Sequence, residues 1–239
     1  RIPYLIAPIL MIGAPSALVL KQPDLGTALF LIMTGGAVFF VAGVRLWKFG
    51  LVFAAAGAAV PIAWSMLRPY QQKSIFTFLD PETDPLGAGY HILQSKIALG
   101  SGGLFGKGFM QGSQSHLNFL PEKQTDFIFT MLAEEFGMVG GLVLLGLYML
   151  IMVYGFAISL RSRTHFGRLL AMGITSILFR YVFINIAMVM GLIPVVGVPL
   201  PLISYGGTAM LTLMIGMGFL ICTYIHRDVT ISRHGGGDG

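Results

Sequence analysis

Four carboxylates stand at the edge of an apolar run in the middle of the chain. Glu122 and Asp126 precede the run, and Glu134 and Glu135 lie just inside it. Only 10% of the 239 residues are charged, and acids beside hydrocarbon are costly unless they are paired or have a function. A carboxylate in an apolar setting is well suited to accept a proton near neutral pH. Asp126 is therefore the candidate general base.

Helix capping is the structural alternative for these acids, because carboxylates favour helix N-termini. For Glu134 and Glu135 the capping and functional interpretations stay equally open. Capping is the weaker interpretation for Asp126, since Thr125 is available as the cap and the adjacent residues are strongly apolar. Another acid, Asp24, follows the first apolar window, so it can lie on the same membrane face as Asp126.

Hydropathy indicates a protein that crosses a membrane several times. The mean hydropathy is +0.81, whereas a soluble domain carries about a quarter charged residues. A spanning helix needs roughly 20 apolar residues. The sequence therefore predicts an all-α bundle of six transmembrane helices with one long extracytoplasmic loop, residues 68–127. We treat 1–239 as one transmembrane domain, incomplete at its N-terminus, with expected spans 4–20, 26–44, 49–67, 128–157, 167–190 and 203–225.

The distribution of basic residues predicts the orientation, because short loops rich in Lys and Arg remain in the cytoplasm. Both short connections on one side are basic, whereas those on the other side hold Lys21 and no other basic residue. Both ends of the chain are therefore expected to be cytoplasmic. This orientation explains the net charge of +5 better than nucleic-acid binding does.

The long loop contains one helical pattern, in which Leu86, Tyr90, Leu93 and Ile97 recur on one face. This spacing predicts a short amphipathic helix that lies in the membrane interface or, equally, packs against the spans. The glycine-rich stretch that follows, residues 101–108, lacks the first glycine and the final hydroxyl of a phosphate-binding loop. It is predicted to form turns.

Arg180 is the one fully charged residue deep in a predicted span. Its ordinary explanations are snorkelling towards the interface and pairing with backbone carbonyls at a kink. Asn185 is a candidate member of the same polar seam. We place these explanations ahead of a direct substrate role.

Five blocks of sequence stand out together: Lys21–Thr27, Asp80–Tyr90, Gln94–Gly103, Phe119–Phe127 and Pro199–Gly207. Their order and wording resemble the SEDS family of bacterial cell-wall polymerases, which includes RodA, FtsW and SpoVE. The likeness covers nearly all of 1–233, and within the family it is closest to the RodA branch. Family members have ten spans, and this chain resembles the last six.

The resemblance implies a peptidoglycan glycosyltransferase that polymerises lipid II, a disaccharide-pentapeptide on undecaprenyl diphosphate, during cell elongation and cell-shape maintenance. The reaction is an inverting transfer with Asp126 as general base. The implied location is the bacterial cytoplasmic membrane, with the active site on the extracytoplasmic face. The implied partners are a class B penicillin-binding protein (a transpeptidase), other proteins of the elongation complex and membrane lipids, but no nucleic acid.

The leaving diphosphate must be neutralised by basic side chains or by a divalent cation. Asp24 and Asp126 are the candidate ligands of such a cation, Mg²⁺ or Mn²⁺, and no organic cofactor is expected. The candidate substrate-binding residues are Asp24, Glu122, Gln94, Ser95, Lys96, Lys107, Lys123, Ser204 and Tyr205.

Two other functions fit the same composition. A lipid II flippase also needs polar residues and proline-broken helices in a multi-span bundle, although here the acids cluster on one face and not at the midplane. The third alternative is a non-catalytic scaffold for the wall-synthesis complex. Loss of polymerisation on substitution of Asp126, with complex formation retained, separates the enzyme from the scaffold.

Overall fold

The computed structural model describes residues 3–22, 25–66, 72, 76–77, 88–112 and 124–229. Within these ranges there is no strand, which confirms the predicted all-α class. In chain order the helices are α1 (Pro3–Lys21), α2 (Leu25–Val41), α3 (Leu46–Met66), α4 (Ala88–Ser101), α5 (Ile128–Arg161), α6 (His165–Val189) and α7 (Gly207–Ile225).

Three of these helices, α5, α6 and α7, are long and apolar enough to cross a membrane. The apolar stretches Ile6–Lys21, Gly26–Val41 and Leu46–Pro61 are shorter. Each of the six predicted spans coincides with a helix, and large hydrophobic side chains such as Phe53 and Leu147 are exposed on the outer surface of the bundle. This apolar exterior is expected of a multi-pass membrane protein, because lipid is its solvent.

Helix α6 is the centre of the bundle, since it packs against α2, α4, α5 and α7. Small residues allow close approach of the helices. A Cβ atom on Gly155 of α5 would lie only 2.1 Å from Thr175 Oγ1 of α6. The main buried cluster joins the start of α5 to the end of α6 and the loop that follows; it contains Phe127, Phe129, Met131, Leu144, Tyr148, Val182, Met188, Val189 and Leu200.

Helix α5 is interrupted at Gly137, where φ is 68° and ψ is −165°. The interruption releases backbone groups that would be costly to leave unpaired in an apolar setting. The 102–108 loop after α4 satisfies them through four hydrogen bonds: Met138 N–H to Gly103 O (3.0 Å), Val139 N–H to Leu104 O (3.1 Å), Lys107 N–H to Glu134 O (3.0 Å) and Gly108 N–H to Glu135 O (3.0 Å).

The interruption corrects the prediction of a continuous helix over 128–157. The sequence around Gly137 gives little indication of the interruption, because glycine is common in membrane helices and the apolar run continues through this residue. The glycine is required by geometry. A Cβ at Gly137 would lie 2.3 Å from Gly106 N and 2.5 Å from Leu104 O, and its φ is in the left-handed region. Helix α7 also begins later than expected, at Gly207 and not at 203, because residues 201–205 form a turn.

We expect Gly137→Ala to lower the free energy of unfolding by about 2–4 kcal/mol, since the side chain adds both backbone strain and overlap with the docked loop. Gly146→Ala is the matched control in the same helix, because a Cβ there meets nothing within 4 Å. Alanine has the better helix propensity, so the control should be neutral or slightly stabilising. Thermal unfolding of the purified full-length variants measures both effects. Equal melting temperatures would contradict the structural role of Gly137.

Candidate active site

Asp126 lies in a turn, residues 124–127, that leads directly into α5. The N-cap position of α5 is Phe127 and not Thr125, which corrects the expected cap. The side chain of Phe127 is buried in the main cluster, whereas Asp126 is partly exposed. The turn therefore anchors its last residue in the core and leaves the carboxylate at the end of the bundle.

Asn185 of α6 binds the backbone of this turn. Its Nδ2 group donates hydrogen bonds to Asp126 O and to Val198 O, each 2.7 Å long. The Asn185 side chain is fully buried, and its bond to Val198 O is shielded from competing water. One side chain thus joins the turn, α6 and the loop after α6.

The loop after α6 completes the attachment of the turn. Ser204 Oγ donates to Thr125 O (2.5 Å) and accepts from Leu200 N–H (2.6 Å). Tyr205 N–H donates to Gln124 O (2.8 Å). Together with the Asn185 bond, these contacts satisfy three consecutive carbonyls of the turn. The backbone that carries Asp126 is therefore fixed by partners far away in sequence.

Gly197 brings the loop close to the carboxylate. Its φ is +70°, and a Cβ atom at this position would lie 3.3 Å from Asp126 Oδ2. The loop is itself fixed to α5, because the Tyr148 hydroxyl donates to Pro201 O. Gly197 therefore forms one wall of the site, and a side chain there would crowd the carboxylate.

Ser95, a predicted substrate ligand, is fully buried between three helices. Its hydroxyl donates to Val189 O of α6 (2.8 Å) and shares a hydrogen bond with Thr130 Oγ1 of α5 (2.9 Å). This corrects the assignment of Ser95 to substrate binding, because its hydroxyl joins α4 to α5 and α6 through these two hydrogen bonds.

Lys107 and Glu134 form an ion pair, with 2.7 Å between Nζ and Oε1. Glu134 is fully buried and lies inside α5, so the capping alternative is wrong for this acid. Removing one partner of a buried pair strands a charge, which typically costs about 3–5 kcal/mol. Lys107, a predicted diphosphate ligand, therefore first serves to neutralise Glu134 beside the interruption of α5.

The remaining predicted site residues fall into two groups. Lys96 and Tyr205 are exposed, Ser204 is buried at the turn, and Gln94 is partly buried. Asp24, Glu122 and Lys123 lie outside the described residues, so the pairing of Asp24 with Asp126 at a metal stays a prediction. No group of three or more His, Cys, Asp or Glu residues that could hold a metal occurs in the described part of the chain.

Arg180 is buried between α6 and α2, with its guanidinium carbon 5.6 Å from the centroid of the Phe30 ring. Within the described ranges its three guanidinium nitrogens have no hydrogen-bond partner. A cation over an aromatic face gains electrostatic stabilisation, so the structure shows a cation–π contact in place of the expected snorkelling or carbonyl pairing. Asn185 contacts the 124–127 turn, and the two residues do not share a polar seam.

A hollow of about 520 Å³ adjoins the 124–127 turn. It lies between the turn and the start of α7, with Gln124, Ser204, Tyr205 and Met210 in its lining. Sequence patterns missed Asn185 and Gly197 as site residues, because their roles depend on contacts across 59 and 71 positions of the chain. The Pro199–Gly207 block is a sequence signal that marks part of this loop.

Residues 1–229 match the FtsW/RodA/SpoVE family, which is described as "Cell cycle protein". The chain belongs to this family. Peptidoglycan glycosyltransferase MrdB of Escherichia coli strain K12 is 52% identical to the chain over 222 residues. These residues are 92% of the chain and 60% of the relative. Peptidoglycan glycosyltransferase RodA of Treponema pallidum is 43% identical over 175 residues, 73% of the chain and 40% of the relative.

Solved structures of similar proteins agree with this membership. One belongs to a study titled "Structural coordination of polymerization and crosslinking by a peptidoglycan synthase complex"; it has a TM-score of 0.77 and 33% identity and covers 92% of this chain and 61% of that one. The rod shape determining protein RodA of Thermus thermophilus has a TM-score of 0.63 and 29% identity, covering 96% and 59%. The chain spans about 60% of the length of the Escherichia coli MrdB relatives.

We expect Asn185→Leu to loosen the 124–127 turn, because it leaves the carbonyls of Asp126 and Val198 without this donor, and the second of these bonds is buried. An unsatisfied buried carbonyl costs about 1–3 kcal/mol. Thr212→Val is the control, since Thr212 donates only to Thr208 O within its own helix. The expected result is a lower melting temperature and faster hydrogen exchange over residues 124–130 in Asn185→Leu alone. Exchange rates equal to those of the control would show that Asn185 does not hold the turn.

Proposed function

We propose that the protein is a peptidoglycan glycosyltransferase that polymerises lipid II during cell elongation and cell-shape maintenance. The observation that carries the proposal is the fixed position of Asp126, whose turn is held by three consecutive carbonyl bonds at the end of the bundle. The names of the relatives support the reaction class, since both MrdB and RodA are called peptidoglycan glycosyltransferases.

In the proposed reaction, Asp126 accepts the proton of the 4-hydroxyl of the acceptor sugar. At the same time the oxygen of that hydroxyl attacks the anomeric carbon of the donor sugar. The new glycosidic bond forms while the bond from that carbon to the diphosphate breaks, and undecaprenyl diphosphate leaves with the electron pair. The configuration changes from α to β in a single displacement, for which one base suffices. A base on a fixed backbone suits this step, because misplacement by an ångström can cost a large factor in rate.

The charge of the leaving diphosphate requires a cation nearby. Lys96 is exposed, whereas Lys107 is already paired with Glu134. We propose that Asp126 and Asp24 hold a divalent cation, Mg²⁺ or Mn²⁺, which when bound neutralises the diphosphate. Magnesium takes one or two carboxylates and keeps several waters, so a donor set of two carboxylates fits it.

The proposed setting is the bacterial cytoplasmic membrane, with residues 68–127 and Asp126 on the extracytoplasmic face. Lipid II and membrane lipids are the small-molecule partners. A class B penicillin-binding protein is the proposed protein partner, together with other proteins of the elongation complex. A similar solved chain comes from a complex described as coordinating polymerization and crosslinking, which supports a transpeptidase beside the polymerase.

The flippase and the scaffold remain the alternative functions. A transport path is expected to place polar groups at the bilayer midplane. Arg180, the buried cation of α6, is stacked on Phe30, and Glu134 is neutralised by Lys107. The partly exposed acid at the end of the bundle, Asp126, therefore favours chemistry at one face.

We expect Asp126→Asn in the full-length protein to reduce polymerisation of purified lipid II by about 10²–10⁴-fold, because the amide cannot accept the proton. The amide has nearly the same size, so melting temperature and complex formation should be unchanged. Glu135→Gln is the control, since this acid lies inside α5 away from the turn, and Glu122→Gln should have a smaller effect than Asp126→Asn. Near wild-type polymerisation by Asp126→Asn would reject the base assignment.

The orientation predicts opposite accessibility for two exposed positions. Gln111 is expected outside, and Arg163, whose side chain is 68% exposed, is expected in the cytoplasm. Single cysteines at these positions should be introduced into a full-length protein without other cysteines, which includes replacing the exposed Cys222. An impermeant thiol reagent on intact cells should label Gln111→Cys and spare Arg163→Cys. The reverse pattern would place the candidate active site in the cytoplasm.

A further inference from the structure

The loop after α4, residues 102–110, turns its large apolar side chains outwards. Lys107 is the one charged residue of this loop, and it turns inwards to pair with the buried Glu134. A loop in water shows the opposite arrangement, because charged groups stay hydrated and large apolar groups are preferentially buried. Four apolar side chains, which we call the apolar tip, are 58–81% exposed: Leu104, Phe105, Phe109 and Met110.

The backbone of the loop lies directly against α5, which explains why the apolar tip faces outwards. A Cβ at Gly106 would lie 2.1 Å from Glu135 O, so there is no room for a side chain between the loop and the helix at this point. Four backbone hydrogen bonds join the loop to the interruption at Gly137. Non-helical backbone is tolerated at membrane depth where the protein satisfies its polar groups in this way.

The charge-free part of α5 indicates the depth of the loop. The helix has no charged residue between Gly137 and Arg161. This segment spans about 36 Å at 1.5 Å per residue, slightly more than the roughly 30 Å of the hydrocarbon core of a bilayer. With Arg161 at one boundary of the core, Gly137 lies at the other. The loop bonded to Gly137 is therefore at the level where hydrocarbon meets the lipid headgroups.

The apolar tip is continuous with the outer surface of α5. The ring centroid of Phe109 lies 6.2 Å from that of Phe136, and Phe136 and Met138 are themselves exposed on this long apolar helix. Exposed apolar side chains of a spanning helix contact lipid, and aromatic or other apolar side chains beside them extend the same surface. Lipid is thus the occupant that this continuity favours over a separate protein.

We propose that the apolar tip inserts into the lipid leaflet next to the candidate active site and anchors the loop there. The backbone bonds and the Lys107–Glu134 pair connect this anchor to α5. It therefore fixes the height of the α5 interruption, and of the 124–127 turn at the start of the same helix, relative to the headgroups. The anchoring depends on the membrane location of the protein and not on the proposed reaction.

Fluorescence quenching of the full-length protein in lipid nanodiscs tests this insertion. Single cysteines replace Phe105 and Gln111, two exposed residues of the same region, in a protein without other cysteines, and each carries the same fluorescent probe. Lipids with brominated chains should quench the probe several-fold more strongly in Phe105→Cys than in Gln111→Cys. Iodide in the aqueous phase should quench the two probes in the reverse order.

A polar substitution in the apolar tip should weaken the insertion. We expect Phe109→Gln to reduce the bromolipid quenching of a probe at Leu104→Cys, because it removes an aromatic ring from the lipid-facing surface without touching the loop glycines. Phe166→Gln is the matched control. Phe166 has the same 70% exposed fraction as Phe109 but lies at the start of α6, at the opposite end of the bundle, so its substitution should leave this quenching unchanged.

Three outcomes would overturn the proposal. Stronger quenching of the Phe105→Cys probe by iodide than by bromolipid would place the apolar tip in water. Protection from both quenchers would show that protein covers it, either another segment of the longer chain or a bound partner. Equal bromolipid quenching of the Leu104→Cys probe in Phe109→Gln and Phe166→Gln would reject the tip as the anchor. None of these measurements involves glycosyl transfer, so failure of the proposed function would leave their interpretation unchanged.

Discussion

In the hydrocarbon of a membrane, backbone N–H and C=O groups have no water to bind, so each must find its partner within the protein. Regular helices meet this requirement locally. The two departures from regular helix near the candidate site, the interruption at Gly137 and the 124–127 turn, meet it through distant segments. The 102–108 loop pairs with the interruption, and Asn185 with the loop after α6 pairs with the turn.

This constraint explains why the backbone of the candidate active site is bonded to distant segments of the chain. The turn can satisfy its carbonyls only while α6 and the 197–205 loop are in place, so loss of either contact leaves buried acceptors unpaired. Burial of Phe127 and Leu200 in one cluster adds an apolar attachment beside the polar ones. Asp126 therefore takes its position from the packing of α5 against α6, and the chemistry of the carboxylate depends on that packing.

The buried charged residues Glu134 and Arg180 are also stabilised by groups of the protein. Glu134 lies beside the interruption of α5, where the docked loop brings Lys107 within 2.7 Å. The loop thus supplies both backbone partners and a counter-charge, and this double role accounts for glycines at 102 and 106, where a Cβ would overlap backbone atoms of α5. Arg180 is stabilised differently, because its guanidinium lies over the aromatic ring of Phe30 in α2.

The sequence by itself determined the all-α class, the positions of the six apolar helices, the presence of a helix before the glycine-rich turns, and the family. Each of these follows from composition, a local period or a contiguous block of residues, which can be recognised without knowing what lies nearby in space. The sequence also marked Asp126 as a candidate, because an acid beside an apolar run is unusual in any fold.

Only the tertiary structure decided which groups surround that acid. Asn185, Gly197 and Ser204 reach the turn across 59, 71 and 79 positions of the chain, and Ser95 reaches Val189 across 94. For this reason the sequence predicts a substrate role for Ser95 and does not distinguish capping from function for Glu134. The physical reason is that a polar side chain has the same local appearance whether it binds a ligand or a distant carbonyl. Its partner is set by how the helices pack, and neither periodicity nor composition records that packing.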